Sequence, residues 1–200
     1  MCPDPCIGSA LGGITAAVPW GRSLHGSAAG GPAGRATGLE GVAEGFIRRE
    51  RETCEAALRL ARDHALRGCR IGLIGDPHVA PRLAEFVEDL GGRFAGWLST
   101  QYPAPELDGI PGPDALTRAE VDLVLTSTMG CEVLGQRRIP YLEFGFPSYG
   151  RHALSETPFL GYRGAVSLAE HLANSIRFFE DLRATGLLEP ARPFRHEPAL

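Results

Sequence analysis

The sequence predicts an α/β domain over residues 39–188: a doubly wound, mainly parallel, four-stranded Rossmann-like sheet with helices on both faces. Three observations carry this. Strand-sized apolar runs alternate with segments of helical periodicity, which means parallel strands joined by crossover helices. The runs stop at Gly, Pro or Asp, as buried strands do at turns. Hydrophobic residues make up 44% of the 200, enough for one core but not for two large domains.

The elements follow in order. From Leu39, Ile47, Cys54, Leu58, Ala61 and Ala65 recur at helical spacing opposite an Arg/Glu-rich face, so an amphipathic helix is expected. Cys69–Gly75 is a first buried strand ending in Gly75-Asp76-Pro77. Val79, Leu83, Phe86, Val87 and Leu90 then mark a helix that Gly91-Gly92 closes, with Pro81 suited to its first turn. Arg93–Ser99 is a second strand. A Pro/Gly-rich loop over Tyr102–Pro113 and a short helix lead to a third strand, Val121–Thr126. Cys131–Arg137 suggests a short helix, Pro140–Phe144 a fourth strand, and the stripe from Ala165 to Phe179 the last helix.

Two flanking segments differ in composition. Of the 26 glycines, 11 fall in the first 45 residues, and residues 1–38 carry too few large apolar side chains to fold alone. That segment either packs on another surface or stays mobile. Residues 189–200 are expected to be a disordered tail.

Composition excludes several chemistries. All 20 basic residues are arginine, so no lysine is present to form a Schiff base with pyridoxal phosphate or to complete a G-x-x-x-x-G-K-[ST] phosphate loop. The formal charge of -4 offers no basic field for nucleic acid. No apolar run approaches the length that spans a bilayer, and no secretory signal pattern is visible at the amino end, so a cytoplasmic location without membrane contact is expected. Five cysteines, an odd number, read as thiols or metal ligands rather than a disulfide framework.

The first strand's loop reads G-L-I-G-D-P-H instead of G-x-G-x-x-G, so no NAD site is predicted. Asp76 and His78 there either meet a ligand at the sheet's carboxyl edge or simply form an Asp-Pro turn. Cys131, after the third strand, is either a metal ligand or a small thiol packed at a helix start. Cys54 and Cys69 read as core. Arg163, at a helix start, either binds an anion with the helix amides or forms a salt bridge. Cys2 and Cys6 either supply two thiolates to a metal site that needs further ligands from a partner chain or are unliganded terminal thiols.

One segment is more specific: I-P-Y-L-E-F-G-F-P-S-Y-G-R-H, followed after six residues by F-L-G-Y-R-G and a helical stretch ending near Asn174. Upstream lie R-R-E-R before a helix, then I-G-L-I-G-D-P, then F-V-E-D-L-G-G. In this order the motifs resemble the carboxyl-terminal domain of the nitrogenase component 1 family, especially its molybdenum-iron beta-type and cofactor-assembly scaffold-type chains. Gly145-Phe146-Pro147, Arg151 and Gly161-Tyr162-Arg163-Gly164 match; Gly150 stands where the family usually has aspartate. Cys6 followed by Leu24-His25-Gly26-Ser27 resembles the family's first cluster-binding segment.

The resemblance implies an oxidoreductase subunit that helps bind an iron–sulfur cluster, shared with a homologous partner chain, and receives electrons from an ATP-dependent iron–sulfur reductase. It implies Cys6, His25, Gly26, Ser27 and Arg151 as cofactor-binding residues; His152, beside Arg151, and Arg163 join that set on their own chemistry, as Cys2, Cys6 and Cys131 are candidate metal ligands on theirs, and His25 and His152 read equally as surface histidines satisfied by solvent. Gly30 falls where the family's second cluster cysteine is expected. The rest of the family's first domain and its middle domain have no counterpart between Gly31 and Leu39, so the chain reads as internally shortened. A rival expectation follows from that loss: a non-catalytic assembly or docking module that binds a homologous full-length chain.

Overall fold

The computed structural model describes residues 38–99, 107–118, 120–134, 139–145, 148–150 and 161–188. Helix α1, Glu40–Leu60, continues into a single π-helical turn, Ala61–Ala65, where the Leu66 N–H donates to the Ala61 carbonyl at 3.2 Å. Gly68, at φ +77°, ends it, in a conformation that a Cβ would disfavour. Strand β1, Arg70–Ile74, is followed by a 3₁₀ turn, Pro77–Val79, and α2, Ala80–Asp89, with Pro81 in its first turn. Strand β2 spans Arg93–Leu98, α3 Pro113–Arg118, β3 Leu123–Thr126, α4 Thr128–Leu134, β4 Tyr141–Glu143 and α5 Gly161–Ala184.

The four strands pair in parallel in the order β2-β1-β3-β4. Period-two alternation divides their side chains between two cores. Ile71 and Leu73 of β1, with Leu123 and Leu125 of β3, join a cluster with Leu58 of α1, Phe86 of α2 and Leu168 of α5. Ile74 and Val124 point the other way, to Leu116 of α3 and Leu134 of α4. Helices therefore cover both faces. The chain steps from β1 to β2 in one direction and from β2 across to β3 in the other. Keeping both crossovers right-handed then requires α2 and α3 to lie on opposite faces.

Close packing of α3 rests on two glycines in register, Gly72 of β1 and Gly96 of β2. A Cβ on Gly96, whose φ is +138°, would come within 2.8 Å of the Leu116 backbone nitrogen and 2.9 Å of the Gly112 carbonyl oxygen. The helix thus lies directly on the bare backbone of the sheet.

The structure differs from the periodicity reading at two helices. Helix α4 starts at Thr128 rather than Cys131. Ser127 caps it: its carbonyl accepts from the Cys131 N–H at 3.2 Å and its Oγ from the Gly130 N–H at 3.4 Å. These polar starting residues carry no apolar period. Helix α1 keeps α geometry only to Leu60, and the widened turn that follows places Leu66 in the core at 0% exposure. Residues 1–37 and 189–200 lie outside the described residues. No described helix is long and apolar enough to cross a membrane.

Candidate functional site

The order β2-β1-β3-β4 reverses direction between β1 and β3, and in open parallel sheets the crevice at the strands' carboxyl ends beside such a switch is the usual ligand position. Here β1 delivers Gly75-Asp76 and β3 delivers Thr126-Ser127-Thr128 to that edge. Asp76 turns its carboxylate onto its own loop, accepting from the His78 N–H at 2.9 Å, and so caps the 3₁₀ turn that leads into α2. His78 is exposed beside it. Thr126 is fully buried, its hydroxyl donating to the Ser127 carbonyl at 3.3 Å. Gly130 of α4 sits against Thr126 and Ile74 so tightly that a Cβ there would overlap the Thr126 hydroxyl.

At the end of β4, Glu143 gathers the edge together. Its carboxylate accepts from the Thr128 hydroxyl at the start of α4, from the Tyr149 N–H at 3.2 Å and from the Gly150 N–H at 3.1 Å. The Tyr149 N–H also donates to the Thr128 Oγ1 at 2.7 Å. Burial pushes this carboxyl up, but hydrogen bonds from Thr128, Gly150, Ser148 and Tyr149 outweigh it and hold Glu143 below the ordinary glutamate value. The carboxylate is thus ionised and already occupied in fastening residues 148–150 to α4. Sequence reasoning did not single out Glu143 or Thr128. The available signal was a charged residue closing the apolar run P-Y-L-E, at the carboxyl end of a strand.

Cys131 lies one turn into α4, its Sγ donating to the Ser127 carbonyl at 3.4 Å. Burial, reinforced by the Glu143 charge, raises its pKa against the opposing hydrogen bond with Tyr141. Burial likewise raises Cys54, in the core beside α5, and pushes Cys69 up to about 11. Arg163, in the first turn of α5, is 81% exposed and pairs with Glu50 of α1, Nε to Oε2, at 3.6 Å. Of the other residues expected at a site, Cys2, Cys6, His25, Gly26, Ser27, Arg151 and His152 lie outside the described residues. Among the described residues, no group of three or more His, Cys, Asp or Glu side chains is placed to hold a metal ion. An iron–sulfur cluster does not fit the described residues by themselves.

A doubly wound α/β domain with a set of polar side chains at the carboxyl edge of a parallel sheet defines a Rossmann-like class that hosts many chemistries. Within that class, the chain belongs to the nitrogenase component 1 type oxidoreductase family, whose family model matches residues 9–177. It is 29% identical over 133 residues to the nitrogenase molybdenum-iron protein beta chain of Clostridium pasteurianum, a stretch covering 56% of this chain and 29% of that one. It is also 29% identical over 137 residues to the nitrogenase iron-iron protein beta chain of Rhodobacter capsulatus, covering 58% and 29% respectively. The chain thus spans less than a third of the length of these curated relatives. The solved structure of nitrogenase Cp1 at pH 6.5 superposes with a TM-score of 0.56 at 24% identity, over 74% of this chain and 37% of that one, and supports the fold.

Proposed function

We propose that this chain is a nitrogenase component 1-like oxidoreductase subunit in the cytoplasm. In this reading it helps bind an iron–sulfur cluster together with a homologous partner chain and passes on electrons received from an ATP-dependent iron–sulfur reductase. The observation that carries the proposal is the extent of the family match, which begins at residue 9 and takes in Leu24-His25-Gly26-Ser27 as well as the sheet domain. The thiols support it from the other side. Among the described residues no group of three or more His, Cys, Asp or Glu side chains surrounds Cys54, Cys69 or Cys131, which leaves Cys2 and Cys6 as the chain's candidate donors. Two thiolates are half of what a cluster ordinarily takes, so the partner chain supplies the remainder.

The chain itself does no bond-making in this scheme; the redox chemistry belongs to the metal centre, and the protein contributes ligands and position. The test is electron relay. The chain and a homologous component 1 chain are reconstituted together anaerobically with iron and sulfide, then mixed with an ATP-dependent iron–sulfur reductase. A paramagnetic signal of the reduced cluster that develops only with ATP, and is lost with Cys6→Ala, is expected. A signal unaffected by Cys6→Ala would overturn the proposal, as would none at all.

A further inference from the structure

Helix α1 starts ahead of α5, the helix it packs on. Its pairing of Glu50 with Arg163, at the third position of α5, sets the two helices level there, and the π turn 61–65 then runs on beside α5. Residues 40–47 therefore project past the start of α5 by about 12 Å at the α-helical rise. No described side chain over 41–53 is buried; the first is Cys54. Yet this overhang carries Leu39, Val42 and Phe46 at one-face spacing, exposed by 56%, 70% and 51%. An unsupported helix of that length is marginal in water, and three large apolar side chains on one stripe are a surface that needs a cover.

We propose that the cover is the chain's own segment 7–18, folded back along the overhang. The described chain starts at Gly38, at the foot of the stripe, where φ +68° gives a residue able to reverse the backbone. Thirty-seven residues precede it. Within them Ile7, Leu11, Ile14 and Val18 recur at spacings of four, three and four, one face of a helix, and 7–18 contains no charged residue. Residues 19–37 join this segment to Gly38. A stretch of 19 residues can span up to roughly 60 Å when extended, well beyond the length of the overhang. The apolar stripe of α1 and this uncharged, apolar-rich segment are thus tethered within reach of each other, at an effective concentration in the range of ~1 mM.

The docking is independent of any cluster, so its failure would leave the proposed function where it stands. Hydrogen–deuterium exchange on the full chain tests it, without metal, at two protein concentrations, in the native sequence and in Leu11→Ser/Ile14→Ser. Amides of residues 43–49 are expected to be protected equally at both concentrations. In the double variant they should exchange about tenfold faster or more, while β1 and β3 amides are unchanged. Protection that rises with protein concentration would assign the stripe to a second copy of the chain. That result, absent protection in the native chain, or protection untouched by the double variant would each overturn the proposal.

Discussion

Arg70 and Asp122 close the amino edge of the sheet with a fork of hydrogen bonds. The Arg70 Nε and Nη2 donate to the two carboxylate oxygens at 3.3 Å each, and the Arg70 backbone N–H donates to the same carboxylate at 2.8 Å. The Arg70 Nη1 adds a bond to Glu120 at 2.7 Å. From α5, the Arg183 Nη2 reaches the Asp122 carbonyl at 3.5 Å. One carboxylate therefore ties the starts of β1 and β3 together, and its own backbone holds the end of α5.

Asp122→Ala removes the acceptor for the backbone N–H and for two guanidinium nitrogens at a partly shielded position. The expected cost is about 2 kcal/mol, as for charged hydrogen bonds lost without replacement. It should appear as a lower urea midpoint with an unchanged slope. A midpoint indistinguishable from that of the native chain would show that water replaces these bonds without loss.

The glycine pair under α3 gives a graded prediction. In Gly96→Ala the new methyl meets the backbone of Leu116 and Gly112, so α3 itself must shift, at about 2–3 kcal/mol. In Gly72→Ala it meets the Leu116 Cδ1 at 2.6 Å, the far end of a side chain that can rotate away, and the cost should be closer to about 1 kcal/mol. Thermal melts of the two variants should rank Gly96→Ala below Gly72→Ala; the reverse order would contradict the placement of α3.

Glu143 predicts a pH effect with a definite sign. Its folded pKa lies below the unfolded value because of the four donors around it, so ionisation of this carboxyl stabilises the folded chain at neutral pH. That contribution is present above the unfolded value and is lost as pH falls through the lowered folded value. Glu143→Gln should therefore be less stable than the native chain at pH 7, and the gap should narrow as the pH is taken below 4. Urea midpoints at pH 7 and pH 3 measure it; a gap that widened in acid would contradict the hydrogen-bonded carboxylate.

Much of the fold was legible because it depends on local periodicity. The runs at Ile71–Ile74 and Leu123–Leu125 alternate between two buried faces, so they read as continuously apolar, and only a parallel sheet covered on both sides needs that. The start of α4 was not legible from apolar period, since Ser127 and Thr128 make it by hydrogen bonding. The partners of the site residues were hidden for a different reason. Arg163 could be seen at a helix start, but Glu50, which claims it, lies on another helix far away in sequence. Glu143 likewise shows its role only once β3 and β4 lie side by side and bring Thr128 to it. The motifs that mark the family, by contrast, are each short runs readable along the chain, and the family they point to is the one whose model matches residues 9–177.

The central claim is that this short chain still contributes thiolates to a cluster, and bound iron tests it most directly. The full chain is expressed anaerobically with iron and sulfide, with and without a homologous component 1 chain, beside Cys2→Ala/Cys6→Ala. The result expected is stoichiometric iron in the native protein, alone or in the complex, that is lost in the double variant. Iron absent from the native chain and from its complex, or retained at the same level in the double variant, would contradict the claim.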